Sequence, residues 1–553
     1  MPSVDTASAI LESLDALGVT HVLYCPGSRS APFAYALEAG SFRGDARPIL
    51  DERGAGFAAV GLARTGGLPA VVVTSGTAVA ELAPAVLEAS HARLPLLLLT
   101  ADRPGELRGV GASQATDQSG FFGTHVRASV DLEPQEASPS LVGHLARAVA
   151  AACGAPSGAP GPVQVNVAFR DPLTPVRPAC DCGDEAGASF VPRPTRVLAA
   201  PAVPVPWEDV VGPAAAGLIV AGEGASPRAR EWSAASGFPL LAEPASGAWS
   251  GGGVTPFEQT LVASSLGSEV DAVVVTGRPT LSRPIQALLA RPDVRVVVVD
   301  PHAPWVDISG NAAVVVADLE PAREPIRAAQ AEWAARVRDA AREAGGRIES
   351  LLASGSGRTM LDLARAVAAS TSGPLVLGAS NPVRAFDLAV PALGGRVVHS
   401  NRGQAGIDGT IATAVGICLG SGYAGEASAS EGERVTAVIG DLTACHDASS
   451  LALAASAGAH LDIVVADDQG GGIFATLEHG RATSPEAYDR WFGLAQTVDY
   501  EALAAAYGVA FARAETPAQL AQLLETGEAG PRLVHAPVER AAHLYPALRD
   551  VLS

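Results

Sequence analysis

Short runs of consecutive apolar residues, each separated from the next by a helical pattern, recur along most of this chain. They are His21–Cys25, Ala70–Thr74, Pro95–Thr100 and Val163–Val167; then Gly217–Ala221, Ala272–Thr276 and Val294–Asp300. Last come Leu375–Leu377, Arg396–His399, Val435–Ile439, Leu461–Ala466 and Arg532–His535. A strand that reads as apolar throughout is buried on both faces, which requires a parallel sheet covered by helices on each side. A chain of 553 residues is too long for one core. Two composition changes divide it. Arg177–Pro206 contains Pro192, Pro194, Pro201, Pro204 and Pro206 and reads as a semi-rigid linker, and Ala353–Arg358 is a Gly/Ser passage. The expected fold is therefore α/β, with three consecutive doubly wound parallel-sheet domains at 1–180, 207–345 and 356–553. Ile10, Leu11, Leu14 and Leu17 give an amphipathic first helix, and an Arg- and Ala-rich helix, Glu320–Arg347, is expected to close the second domain.

Several function classes are excluded at this level. All 38 basic residues are arginine, and Schiff-base chemistry, pyridoxal-phosphate catalysis and the P-loop each need a lysine. A formal charge of −20 argues against nucleic acid as a partner. Anionic substrates would have to be drawn by a local arginine cluster. No apolar run reaches membrane-spanning length, and Met1–Gly18 carries Asp5, Glu12 and Asp15 without a basic residue. Neither membrane insertion nor a signal peptide is expected, and the location expected is cytoplasmic. The six cysteines, of which only Cys180 and Cys182 are close in sequence, read as reduced structural thiols.

The run Val435–Ile439 delivers Gly440-Asp441-Leu442-Thr443 at its carboxyl end, where ligands bind in open α/β sheets and a helix N-terminus offers N–H groups to phosphate. One strand–helix–strand unit later, Leu461–Ala466 ends in Asp467-Asp468-Gln469-Gly470-Gly471-Gly472-Ile473-Phe474. Asp441 and Asp468 can thus reach one crevice. Two carboxylates, a loop carbonyl and two diphosphate oxygens would suit Mg²⁺. Taken together, the motifs resemble the signature of thiamine-diphosphate enzymes, with two departures. Leu442 stands where a third Gly is usual, and Asp467-Asp468 replaces a pair of Asn. The resemblance implies Asp441, the Asp468 side chain and the Gly470 carbonyl as metal ligands for Mg²⁺ or Mn²⁺, and Gly440, Leu442 and Thr443 against the diphosphate.

Thiamine stabilises a carbanion only after losing a proton from C2, and a carboxylic acid on its pyrimidine ring drives that loss. Ile49-Leu50-Asp51-Glu52-Arg53-Gly54 reads as an acid at the end of an apolar strand, followed by a small-residue helix. Glu52, desolvated there, becomes the candidate activator. In enzymes of this type the pyrimidine-binding domain of one subunit faces the diphosphate-binding domain of another. A homodimer or homotetramer with a shared active site is implied.

The resemblance narrows further. Cys25-Pro26-Gly27-Ser28-Arg29-Ser30-Ala31-Pro32 is similar to a signature of the 2-succinyl-5-enolpyruvyl-6-hydroxy-3-cyclohexene-1-carboxylate synthases of menaquinone biosynthesis. So are Thr74-Ser75-Gly76-Thr77-Ala78, Thr100-Ala101-Asp102-Arg103-Pro104 and Ser400-Asn401-Arg402-Gly403 with Gly406-Ile407-Asp408-Gly409, and the Gly-Asp-Leu form of the metal motif belongs to the same family. Membership implies decarboxylation of 2-oxoglutarate and 1,4-addition of the fragment to isochorismate. Both are dicarboxylates, which arginine's planar fork pairs with well. Motif by motif, the resemblance puts Arg29, Arg103, Arg283, Arg384 and Arg402 at the substrates with Ser28, Gln114 and Ser380. Ile473, Phe474 and Leu477 would form the apolar wall, and Thr77, Ile407 and Ile473 would touch the cofactor. Glu52, Arg29, Gln114 and Arg402 are the expected catalytic group. The alternatives are another thiamine-diphosphate decarboxylase or carboligase, such as an acetohydroxyacid synthase, and a catalytically silent regulatory protein.

Overall fold

The computed structural model describes residues 3–175, 192–249, 252–391, 393–422, 434–527 and 529–553. Within them lie three wholly parallel sheets. The first contains β1 (His21–Tyr24), β2 (Asp45–Pro48), β3 (Pro69–Val73), β4 (Leu96–Asp102), β5 (Ala128–Leu132) and β6 (Pro162–Ala168), in the order β2-β1-β3-β4-β6-β5. The second contains β7 (Gly217–Ala221), β8 (Leu240–Ala242), β9 (Ala272–Thr276), β10 (Arg295–Val299) and β11 (Ala312–Val316), ordered β11-β10-β9-β7-β8. The third contains β12 (Leu375–Leu377), β13 (Val398–His399), β14 (Val435–Gly440), β15 (Leu461–Asp467), β16 (Ala510–Arg513) and β17 (Arg532–Pro537), ordered β13-β12-β14-β15-β17-β16. The chain forms two compact units. Met1–Ala200 with Ala412–Gly422 carries the first sheet, and Pro201–Ile411 with Tyr423–Ser553 carries the other two.

The central strands explain the parallel pairing. Every residue of β3, β4 and β6 is buried, as the apolar runs require. In the first unit, helix Glu52–Arg64 meets the segment 412–420 at backbone contact. A Cβ on Gly61 would lie 2.2 Å from the Thr413 carbonyl oxygen, and one on Gly416 2.0 Å from that of Ala58. Only glycine permits that approach. In the second unit one core joins Trp207, Trp232 and Phe238 beside the second sheet to Leu375, Phe386 and Val438 of the third. The indole N–H groups of Trp232 and Trp333 donate to the Leu319 and Gly217 carbonyls, each at 3.0 Å. Asp462, buried on β15, bridges two buried guanidinium groups, Arg532 at 2.8 Å and Arg434 at 3.0 Å.

The structure departs from the sequence reading in definite places. Strands β5, β8, β11 and β16 were not expected and are sheet edges, and β2, also an edge, ends at Pro48, short of the apolar strand expected to lead into Glu52. The closing helix of the second sheet runs Ala328–Ala353 and not Glu320–Arg347. Pro321 and Pro325 keep the preceding segment out of it, and Gly345-Gly346 is accommodated inside it. Glu52 does not follow an apolar strand: β2 is a half-buried edge, and Leu50 is 84% exposed. The linker residues 192–204 have no regular structure, whereas Cys180 and Cys182 lie outside the described residues. Among the described residues no helix is long and apolar enough to cross a membrane.

Candidate active site

Strand order in the first sheet changes direction between β1 and β3, so the loops that follow these two strands flank a crevice at the carboxyl edge. Gly27 lets them close on each other, because a Cβ there would lie 2.3 Å from Thr74 Cβ. Arg29 leaves the β1 loop with its side chain largely covered and donates to the Phe169 carbonyl at 2.9 Å. Arg103, directly after β4, donates to the Ser75 hydroxyl and to the Gln114 carbonyl, the latter at 2.5 Å. The Gln114 amide donates to the Ser75 carbonyl at 2.8 Å. Burial and the neighbouring Arg29 charge both press the Arg103 pKa down. Arg103 and Gln114 therefore converge on buried Ser75, with the Arg29 charge close enough to act on Arg103, and no role had been expected for Ser75. Ser28 and Thr77 are exposed near the same edge, Thr77 opening a helix after Gly76 at φ 86°.

Glu52 is the first residue of its helix, whose N-cap Asp51 accepts from the Gly54 N–H at 3.1 Å. Partial burial raises the Glu52 carboxyl above its ordinary range and the Asp51 and Glu81 charges add to the rise, against a backbone hydrogen bond that lowers it. The helix start is thus a place for a carboxyl that retains its proton longer than an exposed one.

In the third sheet the matching change of direction lies between β12 and β14. Arg384, on the helix after β12, donates to the carbonyls of Ala379 at 3.0 Å and Ser380 at 2.8 Å. Arg402, after β13, donates to the same Ala379 carbonyl at 3.3 Å and to Thr280 Oγ1 at 3.1 Å. Its Nε–H is buried without a partner. Burial, and next the Arg402 charge, push Arg384 down to about 10. Arg278, unforeseen from sequence, holds the Arg402 carbonyl at 2.9 Å while paired with Glu223 at 2.6 Å. Behind the two arginines sits a buried acid cluster. Burial raises Asp387 to about 7, Glu243 to about 8 and Glu258 well above its ordinary value. Gln259 donates to Asp387, the Leu281 N–H donates to Glu243 at 2.6 Å, and both Glu258 oxygens lack a partner. Burial thus opposes ionisation of the carboxyls that lie nearest the arginine pair.

Asp441 opens the helix after β14, is buried, and accepts from the Leu442 N–H at 2.8 Å and from the Gly470 N–H. Burial, with help from Asp467, raises it to about 6. Asp468 is raised to about 7 by burial and then by Asp441, against Arg540 and a hydrogen bond from Asn381. Asp467 is held low by His535, 2.9 Å away on the next strand. Gly470 has φ 122°, and a Cβ there would strike the Gly493 carbonyl oxygen at 2.0 Å. Two carboxyls held above their ordinary range by burial and by neighbouring acids are relieved by a hard cation, so the residues present fit a divalent ion bound to a diphosphate. Among the described residues no three His, Cys, Asp or Glu side chains form a metal cluster of their own. Gly440 ends β14, with Leu442 half-buried and Thr443 buried behind it.

Ile473, Phe474 and Leu477 are half-buried, and the Phe474 ring packs at 5.6 Å on Phe492. Arg283 is 66% exposed and lies 3.3 Å from Glu478, directly after Leu477. Ser380 caps the start of the Arg384 helix without a side-chain cap bond, and Ile407 is half-buried in the loop after Arg402.

Residues 4–121 match the N-terminal TPP binding domain of thiamine pyrophosphate enzymes, and residues 388–536 match their C-terminal TPP binding domain. Fold and site together define a thiamine-diphosphate-dependent enzyme. Relatives named 2-succinyl-5-enolpyruvyl-6-hydroxy-3-cyclohexene-1-carboxylate synthase are similar along nearly the whole chain. That of Kineococcus radiotolerans is 42% identical over 96% of this chain and 95% of its own. That of Nocardioides sp. is 40% identical over 97% and 95%, and that of Mycobacterium avium 37% identical over the full length of both. The chain belongs to the 2-succinyl-5-enolpyruvyl-6-hydroxy-3-cyclohexene-1-carboxylate synthase family.

Proposed function

We propose that this protein decarboxylates 2-oxoglutarate and joins the remaining four-carbon fragment to isochorismate by 1,4-addition. One carbon–carbon bond breaks to release CO2, one forms, and one proton is taken up. The observation that carries the reading is the arginine pair, half-buried Arg384 and buried Arg402, which share the Ala379 carbonyl, with a partnerless Arg402 Nε–H and buried carboxyls nearby whose ionisation burial opposes. Like charges brought together without full compensation call for an anionic ligand. Arg29 and Arg103 form a second pair of like charges in the first unit, which supports binding of a second dicarboxylate. Bound thiamine diphosphate supplies the electron sink for decarboxylation.

In this reading Glu52 holds a proton against the cofactor's pyrimidine ring. Asp441, Asp468 and the Gly470 carbonyl hold Mg²⁺ or Mn²⁺ with the diphosphate, flanked by Gly440, Leu442 and Thr443, while Thr77, Ile407 and Ile473 line the cofactor. Arg29, Arg103, Arg283, Arg384 and Arg402 orient substrate carboxylates with Ser28, Gln114 and Ser380, and Phe474 and Leu477 exclude water. The working form is a cytoplasmic homodimer or homotetramer in which residues 1–180 of one subunit serve residues 356–553 of another, with residues 207–345 as the central domain. The test is CO2 release from 2-oxoglutarate with thiamine diphosphate and Mg²⁺. Strong stimulation by isochorismate, with both substrates consumed, is expected. Release indifferent to isochorismate would overturn the acceptor assignment, and release from pyruvate alone would overturn the donor as well.

A further inference from the structure

The turn Asp468–Gly472, between β15 and the short helical turn Gly472–Thr476, adopts a backbone that its own sequence disfavours. Gln469 has φ 60° and Gly470 φ 122°, and a non-glycine residue in the left-handed region costs about 1 kcal/mol or more. Something outside the turn must hold it. Arg540, in the loop after β17, does so with two prongs: Nε donates to the Asp468 carbonyl at 2.6 Å, and Nη2 donates to the Gln469 carbonyl. Its Nη1 lies 3.5 Å from Asp489. On the far side of the turn, the Tyr488 hydroxyl donates to the Gly471 carbonyl at 2.8 Å, and the Gly471 N–H donates to the Gly493 carbonyl at 2.5 Å. The Asp467 carbonyl pairs with the Val538 N–H at 2.9 Å. Gly470 is treated differently. Among the described bonds its carbonyl accepts only from Gly472 within the same turn, at 2.9 Å, which leaves it a lone pair.

We propose that Arg540 is a positioning residue for the cation and diphosphate site, acting through the backbone. Its fork takes up the carbonyls on the N-terminal side of Gly470 and fixes Gln469 in its left-handed conformation. That holds the Asp468 side chain and the Gly470 carbonyl in register with Asp441. The planar guanidinium suits this task because its donors are rigidly spaced and two carbonyls are engaged at once. The inference rests on the reading that Asp441, Asp468 and Gly470 form the cation site.

The test uses the full-length protein and reads cofactor binding directly. Mg²⁺ is titrated at fixed thiamine diphosphate, with heat of binding as the signal, for the wild type, R540A, R540K and D441N. R540A is expected to raise the Mg²⁺ half-saturation concentration tenfold or more. Its circular dichroism and ligand-free melting temperature should match the wild type, and its KM for 2-oxoglutarate at saturating Mg²⁺ and cofactor should stay within twofold. R540K, which can reach only one carbonyl, should fall between the two. If R540A does not fold, R540K decides the matter, and wild-type half-saturation in it overturns the proposal. A D441N protein that binds like the wild type overturns the cation-site reading itself. Loss of binding in D441N with R540A indistinguishable from wild type overturns the role of Arg540 alone.

Discussion

Glu258 offers a perturbation whose size follows from burial. It is 2% exposed, both carboxyl oxygens lack hydrogen-bond partners, and it neighbours Asp387 and Glu243. Burial is the first cause of its raised pKa, with the two acid neighbours behind it. In the unfolded chain the group ionises with its ordinary value of 4.5. A group whose folded pKa is raised contributes stability that is fully present below the unfolded pKa and is lost as pH rises through the folded one. Between those limits each such group removes about 1.4 kcal/mol of stability per pH unit. Glu258→Gln deletes one titration, so as pH rises from 6 to 8 the variant should lose stability less steeply than the wild type, by up to about 1.4 kcal/mol per pH unit. The extra amide N–H buried by glutamine costs about 1–3 kcal/mol, but equally at every pH, so the difference in slope is unaffected. The assay is urea unfolding of the cofactor-free protein at pH 6, 7 and 8, followed by the fluorescence of the buried Trp232, Trp249 and Trp333. Parallel slopes for variant and wild type would refute the assignment of a neutral, buried Glu258.

Three further outcomes are expected. Gly470→Ala must place a methyl 2.0 Å from the Gly493 carbonyl oxygen at φ 122°, and should lower Mg²⁺-dependent cofactor affinity at least tenfold by calorimetry. Asp462→Ala strands two buried guanidinium groups and should cost about 3–5 kcal/mol in urea unfolding. Glu52→Gln should reduce CO2 release about 10²- to 10⁴-fold while leaving circular dichroism unchanged, and retention of most of the activity would remove Glu52 from the activating role.

The interior strands were legible because burial on both faces forces an unbroken apolar run. Most edges were not, since an edge strand has one open side and no such requirement; edge β13, within the expected run Arg396–His399, is the exception. Asp45-Ala46-Arg47-Pro48 pairs with β1 through its backbone alone, with alternate residues half-buried and exposed. Ala510–Arg513 is half or fully exposed, and Leu240–Ala242, although buried, is too short to stand out. Proline decided the start of helix Ala328–Ala353, and the sequence reading underweighted it. Polar residues placed just after apolar runs were legible for the complementary reason: a charge at the end of a buried strand has a ligand or a structural partner to meet. The acid cluster Glu243, Glu258 and Asp387 carries no such mark. Glu243 follows a strand and Glu258 opens a helix, where acids are ordinary, while Asp387 stands in the last turn of its helix, and only tertiary packing brings the three together. Arg540 was equally silent, because its partners are main-chain carbonyls and no residue pattern records them.

The first and third sheets have one topology. Replacing β1, β2, β3, β4, β5 and β6 by β12, β13, β14, β15, β16 and β17 converts the order of one into that of the other. Their candidate site residues then fall at matching stations: Arg29 after β1 and Ser380 after β12, Glu52 after β2 and Arg402 after β13, Thr77 after β3 and Asp441 after β14, Arg103 after β4 and Asp468 after β15. The chemistry at those stations is nevertheless different. The first sheet presents an acid with two arginines, and the third presents paired carboxyls with two arginines of its own. A right-handed crossover rule constrains the strand order and the change of direction constrains where the edge opens, and neither constrains which side chain stands there. The shared order is therefore invisible as sequence similarity but explains why both sheets present functional groups at the same edge. Topology thus locates the two edges, and the unlike side chains at equivalent stations are what support the proposal of proton handling at one and of cation and phosphate binding at the other.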